Sequence, residues 1–246
     1  MTRDLLIRGM IVGVIAGLLA FGFARVFGEP QVDSAIAFEE KMSQAANEAA
    51  EPELVTRATQ AGIGLFTGIV VYSAALGGLF SLVFAFVYGR VSSFGPRSTA
   101  ALLALAGFIA IVLVPDIKYP ANPPAVGNPD TITARTELFF VMLVLSVGSL
   151  AVAVAFARRL HARYGAWNST LIAGAAFVVF ITLVQYLLPA INEVPEQFSP
   201  NVLWNFRIAS LGIHAIVWAT LGLLFGALAE RLMVKQQPRY RLQTAR

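Results

Sequence analysis

Six long apolar segments constrain this chain more than any other feature of its sequence. They cover residues 5–27, 62–88, 99–114, 138–156, 171–188 and 208–227. Each approaches or exceeds the about 20 residues that a helix needs to cross about 30 Å of hydrocarbon. Charged residues make up only 13% of the chain, against about a quarter in soluble proteins. We therefore predict an all-α integral membrane protein with six transmembrane helices, forming one membrane domain over residues 1–246.

The first segment has the basic start of a signal peptide, because Arg3 and Arg8 precede its apolar core. No small-x-small cleavage site follows that core, since Arg25, Phe27 and Glu29 come next. We expect a retained transmembrane helix.

The distribution of charge between alternate loops predicts the orientation. One set of loops and both termini carry only two acids, Asp4 and Glu230, and the other set carries all the remaining acids. The basic residues of the acid-poor side are Arg3, Arg8, Arg90, Arg97, Arg158, Arg159, Arg163, Arg231, Lys235, Arg239, Arg241 and Arg246. By the positive-inside rule this side is cytoplasmic. We expect a multi-pass protein of the inner (plasma) membrane with both termini inside, and no role in binding nucleic acid.

Residues 28–61 form the one sizeable polar segment, and its acids lie on the predicted outer side. Asp33 or Ser34 can cap a helix that runs to about Ala50, and Pro52 can open a second one. Its acidic surface is formed by Glu39, Glu40, Glu48, Glu51 and Glu53. We predict an acidic, extracytoplasmic helical cap, which serves either as a solvated cover or as a vestibule that attracts cations.

Five prolines interrupt the middle of the chain between Pro115 and Asp130. Proline lacks an amide donor and fixes φ, so this stretch is expected to be neither helix nor central strand. We predict a stiff, partly extended loop on the outer side.

The helices show signs of an internal repeat. Gly77, Gly148 and Gly222 occupy corresponding positions in the even-numbered segments, and Ala-Gly pairs end at Gly17, Gly107 and Gly174 in the odd-numbered ones. An arginine precedes each even segment, at Arg57, Arg135 and Arg207. Three parallel helix hairpins around one axis would explain this pattern and would bring the three outer loops together, with residues 189–200 beside the proline-rich loop. The alternative is that small residues recur at close helix contacts in any membrane protein.

Oxygen ligands for a metal ion are concentrated in the outer loops. Asp116, Asn122, Asp130 and Glu193 are the candidates, since cysteine is absent and hard or borderline cations accept carboxylate and amide oxygens. Turn and cap chemistry explains the same residues equally well. His214, inside the sixth segment, is either a metal ligand or a hydrogen-bonding link to a neighbouring helix.

The three arginines complicate a site for cations. They would repel a metal ion unless acids such as Glu53, Glu137 and Glu193 pair with them, so we expect ion-paired scaffolding, with an anion or chelate site as the alternative. No zinc-protease, serine-hydrolase or phosphate-loop motif is present, and there is no cysteine nucleophile. We therefore expect no enzymatic activity and no ATPase within this chain.

The stretch Lys118-Tyr119-Pro120-Ala121-Asn122-Pro123-Pro124-Ala125-Val126-Gly127 and the ending Ala229-Glu230-Arg231 resemble the CbtA family of probable cobalt transporter subunits. The resemblance implies transport of cobalt for cobalamin synthesis, together with a small CbtB-like membrane subunit that has one span and a histidine-rich terminus. Members are often described with five spans, whereas this sequence shows six apolar segments. The resemblance assigns no ligand residues.

Together, these features predict a subunit for uptake of a divalent transition metal, with cobalt as the substrate and no permanently bound cofactor. Either an ion gradient or a separate energising component would drive it. The alternative from another class is a non-transporting membrane assembly or receptor subunit that presents the acidic cap to a partner.

Overall fold

The computed structural model describes residues 1–47, 55–91 and 94–243, and within these ranges it contains helices and no β-strand. Five helices are long and apolar enough to cross a membrane. They are α1 (Thr2–Ala45), α2 (Arg57–Val87), α3 (Pro96–Lys118), α4 (Ile132–Leu187) and α5 (Pro200–Val234). The helical backbone of α5 continues to Gln243. The expected all-helical membrane architecture is confirmed.

Helix α4 is two helical arms joined at Gly165, where φ is 73° and ψ is 172°. Only glycine adopts such a positive φ without strain, so this one residue reverses the chain. Met142 of the first arm (132–164) and Ile181 of the second arm (166–187) share one buried cluster. A straight helix would hold them about 58 Å apart.

The fourth and fifth predicted segments therefore lie on the two arms of one bent helix. The basic loop expected between them is wrong, because Arg158, Arg159 and Arg163 are all helical. Several loop residues are unnecessary where a single positive-φ glycine makes the turn.

Helix α1 runs without interruption from the apolar segment into the acidic one. The expected caps at Asp33 and Ser34 are wrong, since both lie inside the helix, and the Ser34 hydroxyl donates to the Pro30 carbonyl at 2.8 Å. A π-turn at Ala24–Gly28 precedes Pro30, so the helix is already widened where proline lacks its donor. The acids Glu48, Glu51 and Glu53 and the second cap helix at Pro52 fall outside the described residues.

Helix α3 extends further into the proline-rich stretch than its composition suggests. Pro115 to Lys118 are helical, so the expectation of a loop from Pro115 onward is wrong for these four residues. A π-turn at Phe108–Leu113 lies just ahead of Pro115, where the helix must accommodate a missing amide donor. The extended loop begins at Tyr119 and runs to Asn128, and a short 3-10 helix, Pro129–Thr131, closes it, so the expectation is also wrong for Pro129 and Asp130.

Helices α1 and α2 approach each other closely enough for their backbones to touch. A Cβ added to Gly13 would lie 2.2 Å from the Ser73 carbonyl oxygen, and one added to Gly77 would lie 2.2 Å from the Gly9 carbonyl oxygen. Small residues allow the two backbones to meet without intervening side chains.

Helices α3 and α5 also pack closely through small residues. A Cβ on Gly222 would lie 2.8 Å from the Ala104 Cβ, and Gly107 faces the ring of Trp218. Trp218, Phe225, Phe84 and Phe80 then join α2, α3 and α5 to α1 in one large buried cluster. These four helices form the packed core of the protein, which we call the bundle.

Helix α4 lies beside the bundle and joins it mainly at one end. Val114 and Tyr119, at the end of α3, are buried with Met142 and Ile181 of its two arms. The Gln185 side chain donates to the Val114 carbonyl at 3.1 Å and braces the same joint. Only 11% of the most apolar stretch of α4 is buried, against 33% to 39% in the other four helices.

Candidate transport site at the capped end

One end of the molecule is covered by three segments, which we call the capped end: residues 29–45 of α1, the loop 119–131 and the loop 188–199. Ala35, Val126 and Phe198 from the three segments share one buried cluster. The rings of Phe38 and Phe198 meet edge to face, with centroids 5.1 Å apart. The expected meeting of the three loops is confirmed, and its centre is apolar and closed.

Arg57, at the start of α2, is bound by acids of α1. Its guanidinium pairs with Glu29, which is 7% exposed, and with Asp33 at 2.9 Å. A buried carboxylate needs such a partner, because desolvation of an isolated charge is costly. Sequence patterning found this arginine but missed Glu29, since a lone glutamate next to a proline carries no spacing signal.

Arg135, at the start of the first arm of α4, pairs with Glu193, which follows the second arm. The Nη1 to Oε2 distance is 2.7 Å, and the Glu193 side chain is 6% exposed. The Asn128 amide donates to the same carboxylate at 3.2 Å, and the Thr131 hydroxyl also donates to it. Gly127 lies against this pair with φ of 155°, a conformation that favours glycine. Glu193 is thus a well-satisfied ion-pair centre.

Arg207, near the start of α5, binds the proline-rich loop that follows α3. Its Nη2 donates to the Asn122 Oδ1 at 2.9 Å, and its Nε donates to the Ala121 carbonyl at 3.3 Å. The predicted ion pairing is confirmed for Arg57 and Arg135, with Glu193 as an expected partner of Arg135. Arg207 is instead held by an amide oxygen and a backbone carbonyl.

The three arginines follow one geometric rule. Each stands at or near the capped start of one helix and binds the capped end of the helix or arm that packs beside it. Arg57 of α2 binds the outer part of α1, Arg207 of α5 binds the loop after α3, and Arg135 of the first arm of α4 binds the loop after the second arm. Sequence order alone suggested hairpins of neighbouring segments, whereas α3 here packs on α5. The threefold repeat itself stays a prediction.

The predicted metal ligands fall into two groups, those already bound to arginines and those that are not. Asn122 and Glu193 are committed to arginines. Asp130 is exposed, and its backbone amide donates to the Asn128 Oδ1 at 2.9 Å, so Asn128 rather than Asp130 caps the turn there. Asp116 is half-buried beside the α3–α4 joint, and its carboxylate has no hydrogen-bond or ion-pair partner within the described ranges.

His214 lies on α5, half-buried, against Tyr72 of α2. Their ring centroids are 6.5 Å apart at an interplanar angle of 78°. The histidine therefore has an aromatic neighbour from another helix, but this edge contact is not the hydrogen bond that the helix-linking interpretation expected. Its place on the α2–α5 contact separates it from the capped-end acids.

In the part of the chain that the structure describes, no group of three or more histidine, aspartate or glutamate side chains is arranged to hold a metal ion. A metal that meets these residues would meet them one or two at a time.

Tyr119 was not selected from the sequence, although it lies in the proline-rich stretch. Its hydroxyl donates to the Pro189 carbonyl at 2.9 Å and joins two loops of the capped end. Burial raises the pKa of Tyr119, so the phenol remains a neutral donor.

The fold and this arrangement define a polytopic helical membrane protein with an ion-paired cap and no catalytic set among the described residues. The family model described as "Probable cobalt transporter subunit (CbtA)" matches residues 2–230. The chain belongs to this family. Neither the curated proteins nor the solved structures gave a match.

Membership in this family indicates that the chain is a transporter subunit located in a membrane. It gives no support to the alternative of a receptor or non-transporting assembly.

Proposed function

We propose that this chain takes up a divalent transition metal, with cobalt as the substrate, in the service of cobalamin synthesis. The match of the family over residues 2–230 carries this proposal. The long apolar helices supply a membrane body for transport, and the sparse arrangement of ligands suits an ion that passes through.

The proposed topology has six crossings, because each arm of α4 is long enough to cross the membrane by itself. Its first arm has 33 residues and its second has 22, which correspond to about 50 Å and about 33 Å of helix. The capped end faces outward and the arginine-rich end faces the cytoplasm, with both termini inside.

In the proposed path, Asp130 receives the ion at the exposed surface and Asp116 draws it toward the α3–α4 joint. His214 is the deeper ligand, since a neutral imidazole suits cobalt. Asn122 and Glu193 act first as arginine partners, and they become available to metal only if those contacts open.

The proposed partners are the lipid bilayer, a small CbtB-like subunit and a separate energising component. A companion with a histidine-rich terminus would supply the ligands that this chain provides so sparsely. The closed apolar centre of the capped end is consistent with a transporter that requires a further component to open it.

Radiolabelled cobalt uptake into cells tests the function. Cells expressing this chain with its small companion should accumulate cobalt above cells with neither protein. Absence of accumulation with and without the companion, while both proteins are present in the membrane, would reject the transport proposal.

Replacing Asp116 and Asp130 together with asparagine tests the path. We expect cobalt uptake to fall several-fold, whereas Glu196→Gln, which removes one exposed charge at the same end, should leave it near wild type. Cobalt uptake by the double variant equal to that of the wild type would show that both aspartates have only structural roles. His214→Ala should lower uptake without loss of protein from the membrane.

Cysteine labelling tests the orientation, because the native chain contains no cysteine. Single cysteines at Ser43 and Ser199 should react with an impermeant reagent from outside. A cysteine at Ser92, which lies outside the described residues, should react only after the membrane is opened.

A further inference from the structure

A large cavity lies between the two arms of α4, away from the capped end's polar contacts. Its volume is about 800 Å³. Its walls are Val144, Leu145, Gly148, Ser149, Val152, Ala153, Ala155, Phe156 and Arg159 of the first arm, with Ala176, Phe177 and Phe180 of the second. This volume falls in the range of ligand pockets, which is about 300 to 1,000 Å³.

The cavity is apolar along its length and charged at one end. The lining residues span 144 to 159, which corresponds to about 22 Å of helix and exceeds the about 15 Å thickness of one leaflet's hydrocarbon. Arg159 is the one charged residue in its wall. An elongated apolar ligand with an anionic head matches this pattern.

The charge at that end has no protein counterion. Arg158, Arg159 and Arg163 form no ion pair within the described ranges, and the sequence contains no acid between Glu137 and Glu193. The Arg163 guanidinium instead lies over the Tyr164 ring, 5.2 Å from its centroid. A guanidinium beside an apolar cavity at the membrane surface is well suited to a phosphate group.

We propose that this cavity binds an anionic phospholipid, with the phosphate on Arg159 and the acyl chains between the arms. The predicted orientation places this lipid in the cytoplasmic leaflet. A second copy of the chain would fill the apolar walls but bring no unpaired acid to Arg159, since Asp4 and Glu230, its two acids on that side, are already ion-paired. Charge complementarity therefore favours the lipid. The lipid would then supply the packing that the two arms do not give each other.

Native mass spectrometry of the whole chain, purified in a neutral detergent, tests this site. With equal amounts of phosphatidylglycerol and phosphatidylcholine added, we expect selective retention of phosphatidylglycerol. Arg159→Gln should weaken that retention about fivefold. Arg231→Gln removes one charge from the same end without touching the cavity and should change retention less than twofold.

A second pair of variants tests the acyl-chain part of the site. Gly148→Leu should fill the cavity and reduce phosphatidylglycerol retention at least tenfold. Gly174→Leu is the matched control, since neither glycine has an atom within 4 Å of an added Cβ and only Gly148 lines the cavity. Ala176→Leu repeats the test from the opposite wall should Gly148→Leu fail to fold.

Three outcomes would overturn the proposal. They are equal retention of the two lipids, unchanged retention in Arg159→Gln, and a dimer whose formation excludes lipid. None of these outcomes bears on cobalt uptake, so the lipid site and the transport proposal fail independently.

Discussion

Helices α1 and α2 meet backbone to backbone, whereas the two arms of α4 enclose a cavity of about 800 Å³. Both pairs carry small residues at corresponding positions. Gly17 and Gly77 are buried in contact, while Gly148 and Gly174 have no atom within 4 Å of an added Cβ. Small residues therefore permit a close contact without enforcing one.

The two pairs also differ in what holds them together. The α1–α2 pair has packing along its length and the Arg57 contacts at its end. The arms of α4 are held at one end by Gly165 and at the other by Met142, Ile181 and the Arg135–Glu193 ion pair. The arms should therefore be more sensitive to loss of their end contacts, and the bundle to changes along its length.

Loss of the ion pair at the end of the arms should have the largest effect. Glu193→Gln leaves Arg135 partly buried without a countercharge, and we expect a loss of about 3 to 5 kcal/mol in the free energy of unfolding. Thermal unfolding in detergent measures it. Glu196→Gln, at an exposed position of the same loop, should change stability by no more than about 0.5 kcal/mol. Similar melting of the two variants would refute the importance of the pair.

A single added methyl group compares the two helix contacts directly. Gly13→Ala must displace backbone atoms of α2 and should cost up to about 3 kcal/mol. Gly174→Ala meets no atom and should be neutral or stabilising, since alanine gains up to about 1 kcal/mol of helix propensity over glycine. Thermal unfolding in detergent measures both changes. Equal losses of stability in the two variants would show that the arms pack as closely as the bundle does.

The joint between α3 and α4 provides the next test. Met142→Ala removes a fully buried side chain and should destabilise the protein by about 2 to 3 kcal/mol. Met10→Ala, at a position 46% exposed on α1, is the matched control and should change stability little. Protease accessibility of residues 132–187 should rise in the first variant alone. An unchanged digestion pattern would place the attachment of the arms elsewhere.

The smallest effect is expected at the contact between Arg207 and Asn122. Asn122→Ala removes one hydrogen bond to Arg207, while the Ala121 carbonyl bond and the α3–α5 packing remain. We expect a loss of about 1 to 2 kcal/mol, with Asn201→Ala as the exposed control. Cobalt uptake that falls by much more than the amount of folded protein would instead support Asn122 as a metal ligand.

The membrane helices and the positions of the scaffold arginines could both be predicted from the sequence, but for different reasons. Apolar length alone predicts the membrane helices, because the thickness of the bilayer sets it. The recurrence of Arg57, Arg135 and Arg207 marked three scaffold positions. Their partners were only partly predictable, because Glu29 and Asn122 are selected by proximity in space and have no fixed spacing from their arginines.

Prolines gave the least reliable boundaries. Pro115 predicted the start of a loop, yet it is helical here and follows a π-turn. Pro30 likewise lies inside a helix soon after a π-turn. The missing donor is tolerated where the hydrogen-bond register is already shifted, a change that composition does not reveal.

The sequence by itself determined that this chain is helical, suited to a membrane and asymmetric in charge, because each property is a sum over local residues. Tertiary structure alone decided that α3 packs on α5, that Glu29 and Asn122 serve arginines, and that Gly165 reverses α4 and leaves a cavity between its arms. These features depend on which surfaces meet, and small residues spaced alike can either close a contact or leave it open.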